Sequence, residues 1–306
     1  MDTFIQQLVN GLTLGSIYAL VALGYTMVYG ILGLINFAHG DVVMVGAMVA
    51  LSVTQPLVGV LPGPLVLLIG LVVAAVVCMV LGFTIERIAY RPLRNAPRLA
   101  PLITAIGVSI LLQQLAMIIW GRSYHPVPSL LPATNYIILG AHVNAMQLLI
   151  IVVTALTMGG LLMLVNLTKL GRAMRATAEN PQIAALMGVD ANRIISATFI
   201  IGSALAALAG VMVSSHYGIA HYSMGFLLGL KAFTAAVLGG IGNLGGAMLG
   251  GLLLGVIEAL GAGYIGDLTG GVFGSNYQDV FAFIVLIVVL VFRPSGLLGE
   301  RVSERA

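Results

Sequence analysis

Charged residues are scarce in this sequence. Only 8% of its 306 residues are charged and 60% are hydrophobic, whereas a soluble domain carries about 25% charged residues. The mean hydropathy is +1.10. So few charges cannot cover the surface of a soluble protein, and the net charge of +3 is too small to favour a nucleic-acid partner. The composition predicts an all-α polytopic membrane protein, with one transmembrane domain over residues 1–306 surrounded by lipid.

The sequence also lacks the motifs of several enzyme classes. Its single cysteine, Cys78, excludes an intrachain disulfide and a CxxC pair. It has no Gly-Lys dipeptide, and therefore no phosphate-binding loop, and it has neither HExxH nor GxSxG. These absences predict no catalytic residue, metal or cofactor in this chain, and they disfavour an intramembrane hydrolase. If the protein moves a solute uphill, the energy source is then another chain.

Long hydrophobic segments dominate what is present. A helix needs about 20 mostly apolar residues to cross a membrane. Eight segments meet this requirement, at about 8–30, 42–60, 65–85, 101–120, 147–167, 194–214, 245–263 and 278–293. Two further pieces, 31–40 and 226–243, are interrupted by glycine, and we predict that they are broken or partly inserted helices.

The positive charges orient these segments. Eleven of the thirteen Lys and Arg fall into three groups, which are Arg87, Arg91, Arg94 and Arg98, then Lys169, Arg172, Arg175 and Arg193, then Arg293, Arg301 and Arg305. Cytoplasmic loops carry such an excess of positive charge. Three crossings precede the first group, so we expect the N-terminus outside and the C-terminus in the cytoplasm. The later groups agree only if 226–243 also spans or folds deep into the membrane.

The two glycine-broken pieces resemble each other, which suggests two pseudo-repeated halves. Residues 33–40 (GLINFAHG) and 240–247 (GIGNLGGA) both place Asn after a glycine turn and then open a helix. Matching breaks of this kind mark translocation pathways, because unwound backbone is tolerated where it lines a cavity or is buried in protein. Generic glycine packing is the alternative. The candidate pathway residues are Asn36, His39, Gly40, Lys231, Gly240, Gly242 and Asn243.

Two features of the last third leave alternatives open. Lys231 stands in an apolar stretch, where a charge needs a partner or water. It either snorkels to the outer interface or lines the outer vestibule, with Glu258 as a plausible partner. The glycine and alanine series that begin at Gly242 and Gly251 have small-xxx-small spacing, which favours a tight helix contact within the chain or across a dimer.

The polar segment 169–193 contains residues that are typical of the start and the end of a helix. Asn180 and Pro181 predict an N-cap followed by a first-turn proline, and Gly188 predicts the C-terminal end. A simple connector needs no such structure. A folded helix with apolar side chains at the membrane surface therefore indicates that a partner docks there.

Five stretches together resemble the permease subunit of the high-affinity branched-chain amino-acid ABC importer, of the LivH type. They are GLTLGSIYALVALGYTMVYGILGLINFAHGD (11–41), IERIAYRPLR (85–94), GRAMRATAENPQIAALMGVDANRIISATFIIG (171–202), KAFTAAVLGGIGNLGGAMLGGLLLG (231–255) and FRPSGLLG (292–299). The resemblance implies a bacterial inner-membrane location, a second homologous permease, two ATP-binding subunits that hold the ATP, and a periplasmic substrate-binding protein.

The resemblance also implies that the helix after Asn180 is a coupling helix. The general signature there is EAAxxxG, and this chain has Gln182 in place of the Glu and Ile183 in place of the first Ala. The implied ATPase-docking residues are Arg175, Glu179, Asn180, Pro181, Gln182, Ala184, Met187 and Gly188. The expected substrates are branched-chain amino acids. The alternative is a permease or self-sufficient channel for urea, amides or another small neutral solute, which in the channel case would make the cytoplasmic helix dispensable.

Overall fold

The computed structural model describes residues 2–94, 96–97, 99–132, 134–138, 140–268, 277–293 and 295–299. Within these ranges the chain forms eleven α-helices, which are α1 (Asp2–Leu32), α2 (His39–Thr54), α3 (Gly63–Ile85), α4 (Leu99–Trp120), α5 (Ala145–Leu167), α6 (Lys169–Glu179), α7 (Pro181–Leu186), α8 (Ala191–Tyr217), α9 (Met224–Gly239), α10 (Leu244–Leu268) and α11 (Gln278–Phe292). The prediction of an all-α membrane protein is confirmed.

Two short antiparallel strand pairs join the loops between helices. Strand β1 (His125–Pro126) pairs with β4 (Ile219–Ala220), and β2 (Asn135–Ile138) forms a hairpin with β3 (Ala141–Asn144). Both pairs lie in segments that the hydropathy pattern leaves between predicted spans, so they do not alter the helical class.

Seven helices in the described part of the chain are long and apolar enough to cross a membrane, and they are α1, α2, α3, α4, α5, α8 and α10. They match seven of the eight predicted spans. The eighth predicted span, 278–293, forms α11, which has only 15 residues. At 1.5 Å per residue α11 is about 22 Å long, whereas the hydrocarbon core is about 30 Å thick.

The glycine-interrupted pieces differ from each other. Segment 31–40 is a break between α1 and α2 rather than a helix of its own, because Gly33 adopts a φ of 63° just after α1 ends. Segment 226–243 contains all but the first two residues of the 16-residue helix α9, and then a break at Gly240 and Gly242, whose φ angles are 107° and 96°. L-residues with a side chain rarely adopt these angles, so glycine sets where both helices end.

Glycines also let α10 pack closely against α1 and α9. A Cβ built on Gly11 of α1 lies 2.7 Å from the Cα of Val256, and a Cβ built on Gly250 lies 2.6 Å from the backbone N of Gly239 in α9. A side chain at either glycine would push the helices apart. The small residues of α10 therefore contact α1 and α9 of the same chain, and these intrachain contacts explain their spacing.

The helices divide into an interior and a periphery. Most residues of α1, α2, α8 and α9 are buried within the chain. Helix α3 instead exposes an apolar stripe at Val72, Val76 and Val80, and α4 and α5 expose similar residues. Apolar surface of this kind suits contact with lipid or with another membrane helix.

The described basic residues of the three groups lie at one end of the bundle. Arg94 Nη1 donates to Asn192 Oδ1 over 2.5 Å, which joins the first group to the end of segment 169–193. Asn243 Nδ2 donates to the carbonyl of Leu298 over 3.0 Å, which joins the glycine break before α10 to the residues after α11. We call this the basic end. Arg98, Arg301 and Arg305 lie outside the described residues.

The opposite end holds the first turns of α1 and the two strand pairs. Gln6 Nε2 donates to the carbonyl of His142 over 3.1 Å, and Trp120 Nε1 donates to Ser52 Oγ over 2.7 Å. Successive helices α1, α2, α3, α4, α5, α8, α9, α10 and α11 therefore run alternately between the two ends. Helix α9 takes part in this alternation, as the grouping of positive charge requires.

Candidate functional site

Segment 169–193 folds into two helices at the basic end. Asn180 separates α6 from α7, and its Oδ1 accepts hydrogen bonds from the backbone N–H groups of Gln182 (2.9 Å) and Ile183 (3.1 Å). Pro181 occupies the first turn of α7, and Gly188 ends the motif with a φ of 85°. The predicted cap, first-turn proline and glycine stop are all confirmed.

Helix α7 presents an exposed apolar tip. Ile183, Leu186 and Met187 are 59%, 86% and 81% exposed, whereas Ala184 is buried against the rest of the chain. A soluble surface rarely leaves adjacent large apolar side chains uncovered without a binding partner. Of the predicted docking residues, Asn180, Pro181, Gln182, Ala184, Met187 and Gly188 lie together in this motif. A contact of any of them with an ATPase stays a prediction.

Helix α6 is a second folded element that the sequence reasoning did not anticipate. Thr168 caps it by accepting from the backbone N–H of Gly171 over 3.1 Å. Its buried residues Gly171, Met174 and Thr177 recur every three residues, and this periodicity was the signal available in the sequence. Glu179 is exposed at its last residue.

A polar cluster ties the start of α8 to the chain after α3. The Glu86 carboxylate is fully buried and accepts from Arg91 Nη2 (3.1 Å), from Ser196 Oγ (2.7 Å) and from the Arg94 guanidinium. Glu86 opens a π-helical turn that ends at Tyr90. Burial lowers the pKa of the Arg94 guanidinium, and the Glu86 carboxylate opposes that shift. We call these residues the Glu86 cluster.

The Glu86 cluster continues into the glycine break between α1 and α2. Tyr90 Oη donates to Asn36 Oδ1 over 2.9 Å, and the same oxygen accepts from the backbone N–H of Ala38 over 3.2 Å. Asn243 has a similar local role, since its Oδ1 accepts from the backbone N–H of Gly246 over 2.9 Å. The two asparagines therefore hold the two breaks at the basic end in related ways.

The predicted pathway residues His39 and Gly40 lie inside the helix bundle. The His39 ring is 2% exposed and packs edge-on to Tyr25, with ring centroids 4.9 Å apart. Gly40 lies against Gly225 and Gly229 of α9, where an added Cβ would overlap the backbone. In this conformation both residues serve helix packing, and a role in a pathway stays a prediction.

Lys231 is paired within the bundle. Its Nζ lies 2.6 Å from Glu258 Oε1 and 2.5 Å from Asp279 Oδ1, and Tyr18 Oη donates to Glu258 Oε2 over 2.9 Å. Lys231 is only 6% exposed, so the snorkelling alternative is wrong and the proposed partner Glu258 is confirmed. Among the described residues, no group of three or more His, Cys, Asp or Glu is placed to hold a metal ion.

An open cleft lies at the basic end, against the last turns of α1. It holds about 100 Å³, is open to the surface, and is lined by residues of α1, α5 and α6 and by the chain that leads into α10. Its lining includes Thr26, Gly30 and Ile31 from α1, and Arg175 from α6. Gly242 closes the other side, so of the predicted pathway residues it is Gly242 that borders this cleft.

The remaining predicted site residues do not form one lining in this structure. Arg175 belongs to the cleft, where its Nη1 donates to the carbonyl of Val165. Lys231 lies in the half of the bundle away from the basic end, and Gly240 packs against the backbone of Gly299. The cleft itself was not predicted, because it depends on how α6 folds back against α1.

Comparison with known proteins places the chain among transport permeases. The family described as "Branched-chain amino acid transport system / permease component" matches residues 7–290. The high-affinity branched-chain amino acid transport system permease protein BraD of Pseudomonas aeruginosa is 50% identical over 309 positions, which cover 99% of this chain and 98% of the relative. The LivH protein of Escherichia coli K12, which has the same description, is 45% identical over 311 positions, covering 99% and 97%.

These matches run through the whole arrangement described above. They include α1, the Glu86 cluster, the two helices of segment 169–193, and both glycine breaks, in the same order along the chain. The resemblance found in the sequence motifs is thereby confirmed. The chain belongs to the family of branched-chain amino acid transport system permeases.

Proposed function

We propose that this chain is the permease subunit of an ABC importer that moves branched-chain amino acids into the cytoplasm. The named function of relatives that are 45–50% identical over almost the full length supports the substrate class. The observation that carries the coupling to ATP is the capped helix α7, whose exposed Leu186 and Met187 form an apolar docking tip at the basic end.

We propose that the basic end faces the cytoplasm of a bacterial inner membrane. The excess of Lys and Arg in cytoplasmic loops supports this orientation. The N-terminus then lies outside, and the C-terminal residues lie inside. Helix α7 is in that case on the side where ATP is available.

The partners follow from what this chain lacks. Its sequence has no GxxxxGK[ST] loop for nucleotide phosphates, so ATP belongs to two separate ATP-binding subunits that dock on α7. A second homologous permease completes the membrane part. A periplasmic substrate-binding protein delivers the amino acid, and the chain itself needs no cofactor.

The mechanism we propose is alternating access. Closure of the ATP-binding subunits pushes α7, and the push reaches α8 through the short connection between them. There the backbone N–H of Val189 donates to the carbonyl of Ala184 in α7 over 3.0 Å, and Asp190 caps α8. From there the Glu86 cluster leads to the break at Asn36. Movement at the two glycine breaks then opens a path on alternate sides, with Asn36, His39, Gly40, Lys231, Gly240, Gly242 and Asn243 as candidate pathway residues.

A single pair of variants tests this function. Leu186→Gln changes a side chain that is 86% exposed and so should leave the fold intact, but it should weaken retention of the ATP-binding subunits and lower ATP-dependent leucine uptake in reconstituted vesicles. Leu167→Gln is the matched control, because Leu167 is 69% exposed at the end of α5 and lies outside α7. Uptake that persists without ATP, or that Leu186→Gln leaves undiminished, would favour the self-sufficient channel.

A further inference from the structure

We propose that the cleft at the basic end is a binding site for a small apolar amino acid on the cytoplasmic side of the pathway. In this site Arg175 takes the carboxylate, Thr26 offers its hydroxyl, and the apolar wall receives the side chain. The proposal rests on the proposed import function and assigns that function a place in the chain.

The lining of the cleft suits such a ligand. The cleft holds about 100 Å³ and is open to the surface, so it takes the aliphatic side chain while the charged groups of the amino acid lie at its mouth. Met27 and Ile31 of α1, Val165 of α5 and Met174 of α6 supply apolar surface. Methionine adapts to ligands of different shape, so this wall fits leucine, isoleucine and valine alike.

Two polar groups are placed to orient the ligand. Thr26 is 1% exposed, lines the cleft, and its Oγ1 has no hydrogen-bond partner among the described residues. Buried hydroxyls normally have a partner, and this one lacks the hydrogen bond that a ligand in the cleft would supply. The Arg175 guanidinium is held at the cleft by the Val165 carbonyl, and its five N–H donors include others that suit a carboxylate.

The position of the cleft links it to both glycine breaks and to the docking helix. A Cβ built on Gly30 points to Gly242, whose carbonyl oxygen lies 3.6 Å away across the cleft. Helix α6 supplies Met174 and Arg175 and is followed directly by α7. A push on α7 therefore moves one wall of the cleft relative to α1, which would change its affinity for the amino acid.

Cysteine labelling tests the site in the assembled importer. Gly30→Cys introduces a thiol into the cleft at ordinary contact distance, and the native Cys78 is fully buried and serves as the unreactive background. Leu167→Cys is the control outside the cleft. At a leucine concentration about ten times its Kd, labelling of Gly30→Cys should slow about tenfold. Labelling of Leu167→Cys should not change.

Two further measurements define the ligand and the role of the site. Leucinamide, which lacks the carboxylate, should protect much less than leucine. Attachment of a bulky thiol reagent at Gly30→Cys should stop leucine uptake while the complex still hydrolyses ATP. If Gly30→Cys does not assemble, Ala178→Cys, at an exposed position in the same lining, replaces it in the same assay.

The outcomes separate this inference from the proposed function. If the unmodified complex imports leucine but leucine protects neither cysteine in the presence or absence of ATP, the site is wrong and the importer stands. Equal protection by leucinamide overturns the role of Arg175. If the unmodified complex imports no branched-chain amino acid, the proposed function fails, and the site fails with it.

Discussion

The buried pair of Lys231 and Glu258 gives a prediction with a defined size. The charged atoms are 2.6 Å apart, and the side chains are 7% and 1% exposed. Among the described residues, Lys231→Met leaves the Tyr18 hydroxyl as the one remaining hydrogen-bond partner of the Glu258 carboxylate. Loss of one partner of a buried pair typically costs about 3–5 kcal/mol of unfolding free energy. Because Asp279 is partly exposed and keeps some hydration, we expect about 3 kcal/mol, the lower end of that range.

The assay is thermal unfolding of the purified protein in one detergent. At about 2–4 °C per kcal/mol, Lys231→Met should lower the midpoint by roughly 6–12 °C. The double variant Lys231→Met, Glu258→Gln removes the unpaired charge. Its loss of unfolding free energy should therefore be smaller than the sum of the two single-variant losses by at least about 1.5 kcal/mol. Strictly additive losses would refute the coupling of the two side chains. Leucine uptake by a double variant that folds then tests Lys231 separately as a pathway residue.

Three further predictions concern packing, transmission and capping. Gly255→Leu should abolish the monodisperse folded protein on gel filtration, because the backbone of Gly15 leaves no room for a side chain; Gly107→Leu, whose added Cβ meets nothing within 4 Å, should not. Glu86→Gln should lower the rate of leucine uptake more than the rate of ATP hydrolysis. An equal fall in the two rates would indicate misfolding. Asn180→Ala removes the cap of α7 at a cost of about 1 kcal/mol, so ATP-binding subunits should co-purify less well, and unchanged recovery would contradict a docking role.

Local signals in the sequence were sufficient for the seven membrane-length helices and for α7. Runs of apolar residues marked the spans, and the cap at Asn180 followed by Pro181 located α7 to the residue, because capping depends on neighbours two or three positions away. The grouping of positive charge also required segment 226–243 to bring the chain back to the basic end, and α9 does so. Each of these inferences uses residues that are close in sequence.

The missed features depend on partners that are distant in sequence. Ser196 bonds Glu86 across 110 positions, and Tyr18 bonds Glu258 across 240. Charge alone marked Arg91 and Arg94 as topology signals, and nothing in their spacing indicated a buried carboxylate between them. The cleft likewise needs α6 to lie against α1. A single sequence contains no information on which helices become neighbours at that range.

The two ionic clusters differ in a way that suits them to different tasks. At the basic end, Glu86 is fully buried but Arg91 is 31% exposed, so water can bind Arg91 while Glu86 keeps Arg94 and Ser196 as partners. The Lys231 and Glu258 side chains are almost sealed from solvent, and separation of their charges there carries the full cost of desolvation. We infer that the bundle stays fixed where α1, α9 and α10 share the sealed pair, and that motion driven through α7 is confined to the basic end. The cleft and both glycine breaks lie in the part that would move.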